Sequence, residues 1–161
     1  MTTTVIAIDP GVSTGLVIAH IEDDGSVRIS HFAQASCSNY TDTAKWLIDL
    51  INIENQKYWD DAIVVSEQFD LRPGNKFLAD LTPVKINAIL EYHYPDMIFQ
   101  TPTQAKGLVK DAVLKNLGWW LTGKDVGQKD ANDVRDAFRH LVYYLVHVAK
   151  NKWTLDGGWP R

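Results

Sequence analysis

Cysteine is nearly absent from this 161-residue chain, in which Cys37 stands alone. No disulfide can form within the chain, which suits a reducing compartment. Long hydrophobic runs are absent too: no stretch nears the roughly 18 apolar residues of a membrane span, so no membrane partner is expected. No basic segment followed by a long apolar one opens the sequence, and cytoplasmic residence is the expectation. Repeats, low-complexity tracts and linker-like segments are missing, so residues 1–161 read as one domain with one core. Positive charge is not in excess either. Sixteen Lys and Arg face twenty Asp and Glu, a net of −4. Taken alone, that balance speaks against a nucleic-acid partner.

The distribution of charge says more than its sum. Residues 101–129 hold five lysines (106, 110, 115, 124 and 129) against two aspartates (111 and 125), a local +3. The acids gather at 22–24, 60–61 and 130–136, where a bound divalent cation would offset them.

Apolar patterning gives the elements. Residues 4–9, 16–21 and 27–33 read as strands of an antiparallel meander, turning at 11–15 and at "EDDGS". A helix is expected over about 41–54 after the capping residues of "SNYTD". A buried strand at 62–69, a loop at 70–76, a helix within about 77–93 and a short strand at 97–100 follow. "TPTQAKGLVKDAVLKNLG" suggests one or two helical segments with Pro102 near the start. Residues 119–129 read as loop, 130–150 as the last long helix and the tail as loop. The order predicts an α/β fold with a mixed five-stranded sheet flanked by helices.

The first strand, "VIAID", is apolar until it ends in Asp9. A carboxylate at the rim of a core is costly unless something compensates it. The fourth strand carries Glu67 near the same end, and parallel neighbours would bring the two acids together, where like charges raise a pKa unless a cation intervenes. On a helix over 129–150, Val134, Phe138, Leu141 and Leu145 form a core-facing stripe. Asp133, Asp136, His140 and His147 share a band beside it, and Arg135 and Arg139 point further away. Four carboxylates meeting at the sheet edge suit Mg²⁺ or Mn²⁺, hard cations that prefer oxygen. Two such ions about 4 Å apart serve phosphodiester hydrolysis. Each piece also has a plainer reading: a solvated helix start for Asp133 and Asp136, a partnered structural acid for Glu67, a simple turn for "DPG", a packed histidine for His140.

With "IDPGVSTG" at 8–15, "SEQF" at 66–69, "TPTQAKG" at 101–107 and "DANDVRDAFRH" at 130–140 in order, the chain resembles the RuvC-type Holliday junction resolvases of the RNase H-like superfamily, in a divergent form such as phages carry. The resemblance implies metal ligands at Asp9, Glu67, Asp133 and Asp136, holding two Mg²⁺ for which Mn²⁺ can substitute. It also implies a homodimer acting on four-way DNA junctions, with cleavage that leaves 5′-phosphate and 3′-hydroxyl ends. Lys106 falls at the family's phosphate-contacting catalytic lysine, and Lys110 matches a second one. His140 would assist proton transfer or position a ligand. The turn 11–15 would bring hydroxyls and N–H groups to a phosphate. Loop 69–77 occupies the place of junction-inserting residues, with Phe69, Leu71 and Phe77 as wedges and Arg72 and Lys76 toward DNA. Lys115 joins the DNA-contacting set through the basic stretch.

Other readings stay open at this point. One is a broader branched-DNA nuclease, and another a non-catalytic junction-binding protein. Actin-like ATPases and sugar kinases, whose phosphate loops also read Asp-x-Gly, form a third class, although they need two such domains. Helix 77–93 is the expected subunit interface.

Overall fold

The structure, a computed structural model, describes residues 2–58, 61–70 and 80–159. Five strands form one sheet: β1 (Thr3–Asp9), β2 (Ser13–Ile21), β3 (Val27–Ser36), β4 (Ile63–Glu67) and β5 (Ile98–Gln100). Their order is β3-β2-β1-β4-β5, antiparallel among the first three and parallel from β1 through β4 to β5. The helices are α1 (Tyr40–Tyr58), α2 (Thr82–His93), α3 (Pro102–Leu108), α4 (Asp111–Asn116), α5 (Gly123–Val126), α6 (Asn132–Tyr143) and α7 (Lys152–Gly158). Among the described residues, no helix is long and apolar enough to cross a membrane.

Strands β1, β2 and β4 are buried on both faces, as their continuous apolar runs require, while the edge strand β3 is partly exposed. Side chains alternate along β1: Val5 and Ala7 join one core with Val134, Phe138 and Leu141 of α6, while Ile6 and Ile8 join another with Leu47 and Ile51 of α1 and Ile86 and Leu90 of α2. By the same two-residue period, Asp9 after Ala7 and Glu67 after Val65 extend toward the α6 side.

Four sequence expectations need correction. Gly15 is not in a turn, because β2 begins at Ser13 and pairs Gly15 with Asp9. The 119–129 loop contains the short helix α5, set by a capping box between Thr122 and Asp125. The last long helix does not run to 150: α6 ends at Tyr143 and loosens into a π-helical stretch, Tyr144–Val148. The tail is not loop. Asn151 accepts hydrogen bonds from the Thr154 N–H (2.8 Å) and hydroxyl (2.7 Å), starting α7. Gly157 and Gly158 let that helix lie against α4 and the residue after it, where a Cβ on Gly158 would stand 3.1 Å from Val113 and 3.2 Å from Leu117. The expected helix start at 77 lies outside the described residues.

Candidate active site

Parallel pairing of Ile8 with Ser66 sets Asp9 and Glu67 at the same edge of the sheet. Asn87 of α2 fixes that edge from below: it accepts from the Ser66 hydroxyl (2.7 Å) and donates to the Glu67 carbonyl (2.9 Å). The third acidic group arrives with α6. Its N-terminus lies so close to β2 that a Cβ on Gly15 would stand 2.0 Å from the Asp133 carbonyl oxygen. Glycine is needed there for close approach, not for backbone freedom. Ala131, the residue before the helix, offers no side-chain cap. Gln34 of β3 caps instead: its Oε1 accepts from Asp133 N (3.1 Å) and Val134 N (3.2 Å), and its Nε2 donates to the Asp130 carbonyl (3.1 Å).

Lys106 reaches the same place from α3. The "TPTQ" motif is a capping box, with Thr101 Oγ1 accepting from Gln104 N and Gln104 Oε1 accepting from Thr101 N. It starts α3 so that Lys106 Nζ lies 3.1 Å from Glu67 Oε2 and 2.9 Å from Asp136 Oδ2. His140, fully buried, places Nε2 2.8 Å from Glu67 Oε2 and Nδ1 2.9 Å from Gln100 Oε1. The carboxylate accepts, so the ring donates to Glu67. Gln100 Nε2 is buried without a partner among the described residues. Arg139 does not point away, as the helical wheel implied. It donates to Asp136 one turn back on α6 and to Asp111 at the start of α4.

The electrostatics follow from this crowding. Burial pushes the Asp9 carboxyl well above its ordinary value; the charges of Glu67, Asp136 and Asp133 add to the push, and Lys106 opposes it. Burial also raises Asp133, against a hydrogen bond from Ser13. Burial works upward on Glu67 too, but the His140 hydrogen bond and the Lys106 charge outweigh it and hold this carboxyl below its usual range. Burial works to lower Lys106, and the hydrogen bond and charge of Asp136, with Asp9 and Glu67, overcome it, so the ammonium stays charged. Among the described residues, no group of three Asp, Glu, His or Cys side chains encloses an ion as placed. A cation nonetheless occupies the acidic cluster: the Lys106 ammonium bridges Glu67 and Asp136. The carboxylates of Asp9, Glu67, Asp133 and Asp136 offer only hard oxygens, the donor type that divalent cations such as Mg²⁺ or Mn²⁺ prefer.

The structure thus brings Asp9, Glu67, Asp133, Asp136, Lys106 and His140 to one edge. Thr14, expected to face a phosphate, is buried and spends its hydroxyl on Gly11, accepting from its N–H and donating to its carbonyl. Lys110 is exposed beside α3 and α4. Phe69 is half-buried and, with Val84, Ala88 and Phe99, lines a shallow cavity against α2. Leu71, Arg72, Lys76 and Phe77 lie outside the described residues, and His147 is exposed beyond α6. Sequence reasoning missed Gln34, Gln100, Asn87 and Arg139. Only Arg139, three residues from Asp136, carried a local signal.

The mixed sheet, antiparallel from β3 to β1 and parallel from β1 to β5 with helices packed on it, is an α/β fold. Two solved RuvC structures share that fold. A solved structure of Thermus thermophilus RuvC in complex with Holliday junction substrate superposes with a TM-score of 0.55 at 16% identity, over 92% of this chain and 97% of its own. A second Thermus thermophilus RuvC structure gives 0.53 at 16% identity, over 91% and 96%. No family model matches the chain. Among curated proteins, the tetraacyldisaccharide 4'-kinase of Bartonella quintana (strain Toulouse) is 30% identical over 74 residues, 46% of this chain and 22% of that protein. The chain therefore spans less than a quarter of that relative. "GWWLTGKD" at 118–125 has the spacing of a phosphate-binding loop, but it follows helix α4 where such loops follow a strand. Asp125 also stands where a Ser or Thr hydroxyl would meet the metal, and its carboxylate accepts from the Thr122 N–H (2.6 Å) and hydroxyl (2.8 Å).

Proposed function

We propose that this protein is a divalent-metal-dependent endodeoxyribonuclease that resolves four-way DNA junctions as a homodimer. The observation that carries the reading is the convergence of Asp9, Glu67 and the Asp133/Asp136 couple, from three distant parts of the chain, on one edge beside a lysine. Asp9, Glu67, Asp133 and Asp136 would hold Mg²⁺, which supplies an activated water and charge stabilisation for phosphodiester hydrolysis.

The chain's own residues do the rest. Lys106 carries its charge at neutral pH and, once displaced from the acids, stabilises negative charge on the scissile phosphate. His140 has both ring nitrogens engaged and no exposed surface. It therefore positions Glu67 by the Nε2 hydrogen bond and exchanges no proton with substrate. Gln34 fixes the start of α6 and with it Asp133. The exposed Val84 and Tyr92 of α2 supply apolar surface for a partner subunit, and paired active sites suit the two symmetric scissile phosphates of a junction.

The test is cleavage of a labelled four-way junction, a flap and a plain duplex, with Mg²⁺ or with EDTA. Metal-dependent nicking of the junction ahead of the duplex is expected. Equal cutting of all three would replace junction resolution by broader DNA cleavage. Tight junction binding without cutting in either condition would leave a binding protein.

A further inference from the structure

Trp119 and Trp120 are consecutive but do different things. Trp119 is buried, with its ring 5.7 Å from Phe138 of α6 and 6.3 Å from Trp153 of α7. Its role is packing. Trp120 is half-buried and meets two cations: Lys115 Nζ lies 4.7 Å from the ring centroid and the Arg135 guanidinium carbon 4.3 Å.

The cations come from a ladder between α4 and α6. Asp111 and Lys115 are four apart on α4, and Arg139 and Arg135 four apart on α6, so each pair shares a helix face. At one rung Asp111 receives the Arg139 hydrogen bond. At the next rung, two positive charges meet across the Trp120 ring instead. Arg135 is held by donation from Nε to the Ala131 carbonyl (3.2 Å) and from Nη2 to Asn132 Oδ1 (2.7 Å). Among the described residues, neither Lys115 nor Arg135 has a carboxylate partner. Two like charges on one ring repel, and each contact with the indole face returns only about 0.5–1 kcal/mol at an exposed site. The arrangement is pre-organised and short of an anion.

We infer that Lys115, Trp120 and Arg135 form a binding post for backbone phosphates of duplex DNA, taking an arm of the substrate next to the active site. The inference rests on the nuclease reading above and names a contact surface for it. Arg135 lies within one turn of Asp133 and Asp136 along α6, on another face of the helix, so the post meets phosphates away from the scissile one rather than the reacting group. The guanidinium offers a planar fork to phosphate oxygens and the ammonium a point charge, while the ring holds both in place. No base edge is read, so the contact is blind to sequence.

The test measures binding of a fluorescein-labelled four-way junction in EDTA, where cleavage cannot intervene, across a series of salt concentrations. Lys115→Gln and Arg135→Gln, each checked for an unchanged thermal melt, should each weaken binding about fivefold at low salt and flatten the slope of log affinity against log salt by about 1. The double variant should flatten it by about 2. Trp120→Leu should weaken binding while keeping most of the slope. A double variant with wild-type affinity and slope overturns the post, and if wild type cuts the junction in Mg²⁺ meanwhile, the nuclease reading stands without it. A wild type that never cuts, beside a double variant with the expected flattened slope, keeps the post and overturns the nuclease reading. Wild type that binds no DNA ends both.

Discussion

The ammonium of Lys106 lies 2.9 Å from Oδ2 of Asp136 and bridges onward to Glu67, 3.1 Å away. A positive side chain therefore sits among the acids proposed to bind metal. An entering divalent ion competes with it, since both answer the same excess of negative charge.

Replacing the lysine should therefore tighten metal binding while weakening catalysis. Lys106→Gln is expected to raise Mn²⁺ affinity in DNA-free protein several-fold, read by calorimetric titration. Nicking should fall by roughly 100-fold or more, the scale of losing one transition-state charge partner. Unchanged or weaker metal affinity would show that the lysine does not compete.

Asp9 presents a trade between stability and function. Its folded carboxyl is raised by burial and by the surrounding acids. The folded state thus prefers the protonated form, and ionisation destabilises it as pH rises from the unfolded value toward the folded one. Asp9→Asn should raise the metal-free melting midpoint by roughly 2–4 °C, the shift about 1 kcal/mol produces in a chain of this size. Mg²⁺ should raise the wild-type midpoint, by as much as ~2.7 kcal/mol of stabilisation at a hundred times its Kd. It should not move the variant, and a variant that still responds fully would exclude Asp9 as a ligand.

Removing the His140 ring leaves Gln100 buried without its partner and Glu67 with Lys106 alone. His140→Ala should destabilise by roughly 3 kcal/mol through the cavity and the unpaired groups, measured by urea unfolding. Metal affinity should drop about 10- to 100-fold, as for other residues that orient a metal-binding side chain. His140→Gln, which keeps an amide donor for Glu67, should recover part of both. Full metal affinity in the alanine variant would reduce the histidine to packing.

Gly15 is a steric requirement. Gly15→Ala puts a carbon 2.0 Å from the Asp133 carbonyl oxygen, and backbone cannot yield as a side-chain tip can. The start of α6 must shift, carrying Asp133 with it. Destabilisation of roughly 2 kcal/mol should come with loss of nicking beyond what the change in folded fraction explains. Retained activity at full strength would mean that the helix can retreat without harm.

A second buried histidine sets an acid limit on the fold. His20 meets Thr4 Oγ1 at 3.1 Å and Ser30 Oγ at 2.9 Å, with Glu54 Oε2 3.7 Å away. Burial lowers its pKa below 6.5; Arg28 and Lys57 add to the lowering, and Glu54 and Glu22 oppose it. The unfolded chain then binds a proton that the folded one resists. Stability is complete above the unfolded value of about 6.5 and declines as pH falls toward the folded value. The urea midpoint should drop between about pH 7.5 and pH 5.5, and the drop should shrink in His20→Gln. An identical drop in both proteins would assign it to other groups.

Much of this was legible one element at a time. The alternation of Val5 to Asp9 gave a buried strand that ends in an acid, and "SEQF" gave its partner. "TPTQ" marked the start of α3 because a capping box is written in four consecutive residues. The wheel over α6 put Asp133, Asp136 and His140 in one band. The same wheel misjudged Arg139, since a single helix does not show that α4 will present Asp111 beside it. The tail was misread as loop because α7 depends on Gly158 packing against Val113 and Leu117, far away in the chain.

The sequence by itself determined the five strands and most of the helices, and that Asp9 and Glu67 end their strands while Asp133 and Asp136 fall in the first turns of α6. Those properties depend on neighbours within a few residues, through backbone hydrogen bonds and side-chain periodicity. Tertiary structure decided what those ends face. Parallel pairing of β1 with β4, the descent of α6 onto Gly15, the Gln34 cap from β3 and the Lys106 bridge all join residues far apart in the chain. Such contacts form only where burial of the two cores offsets the entropy of closing long loops.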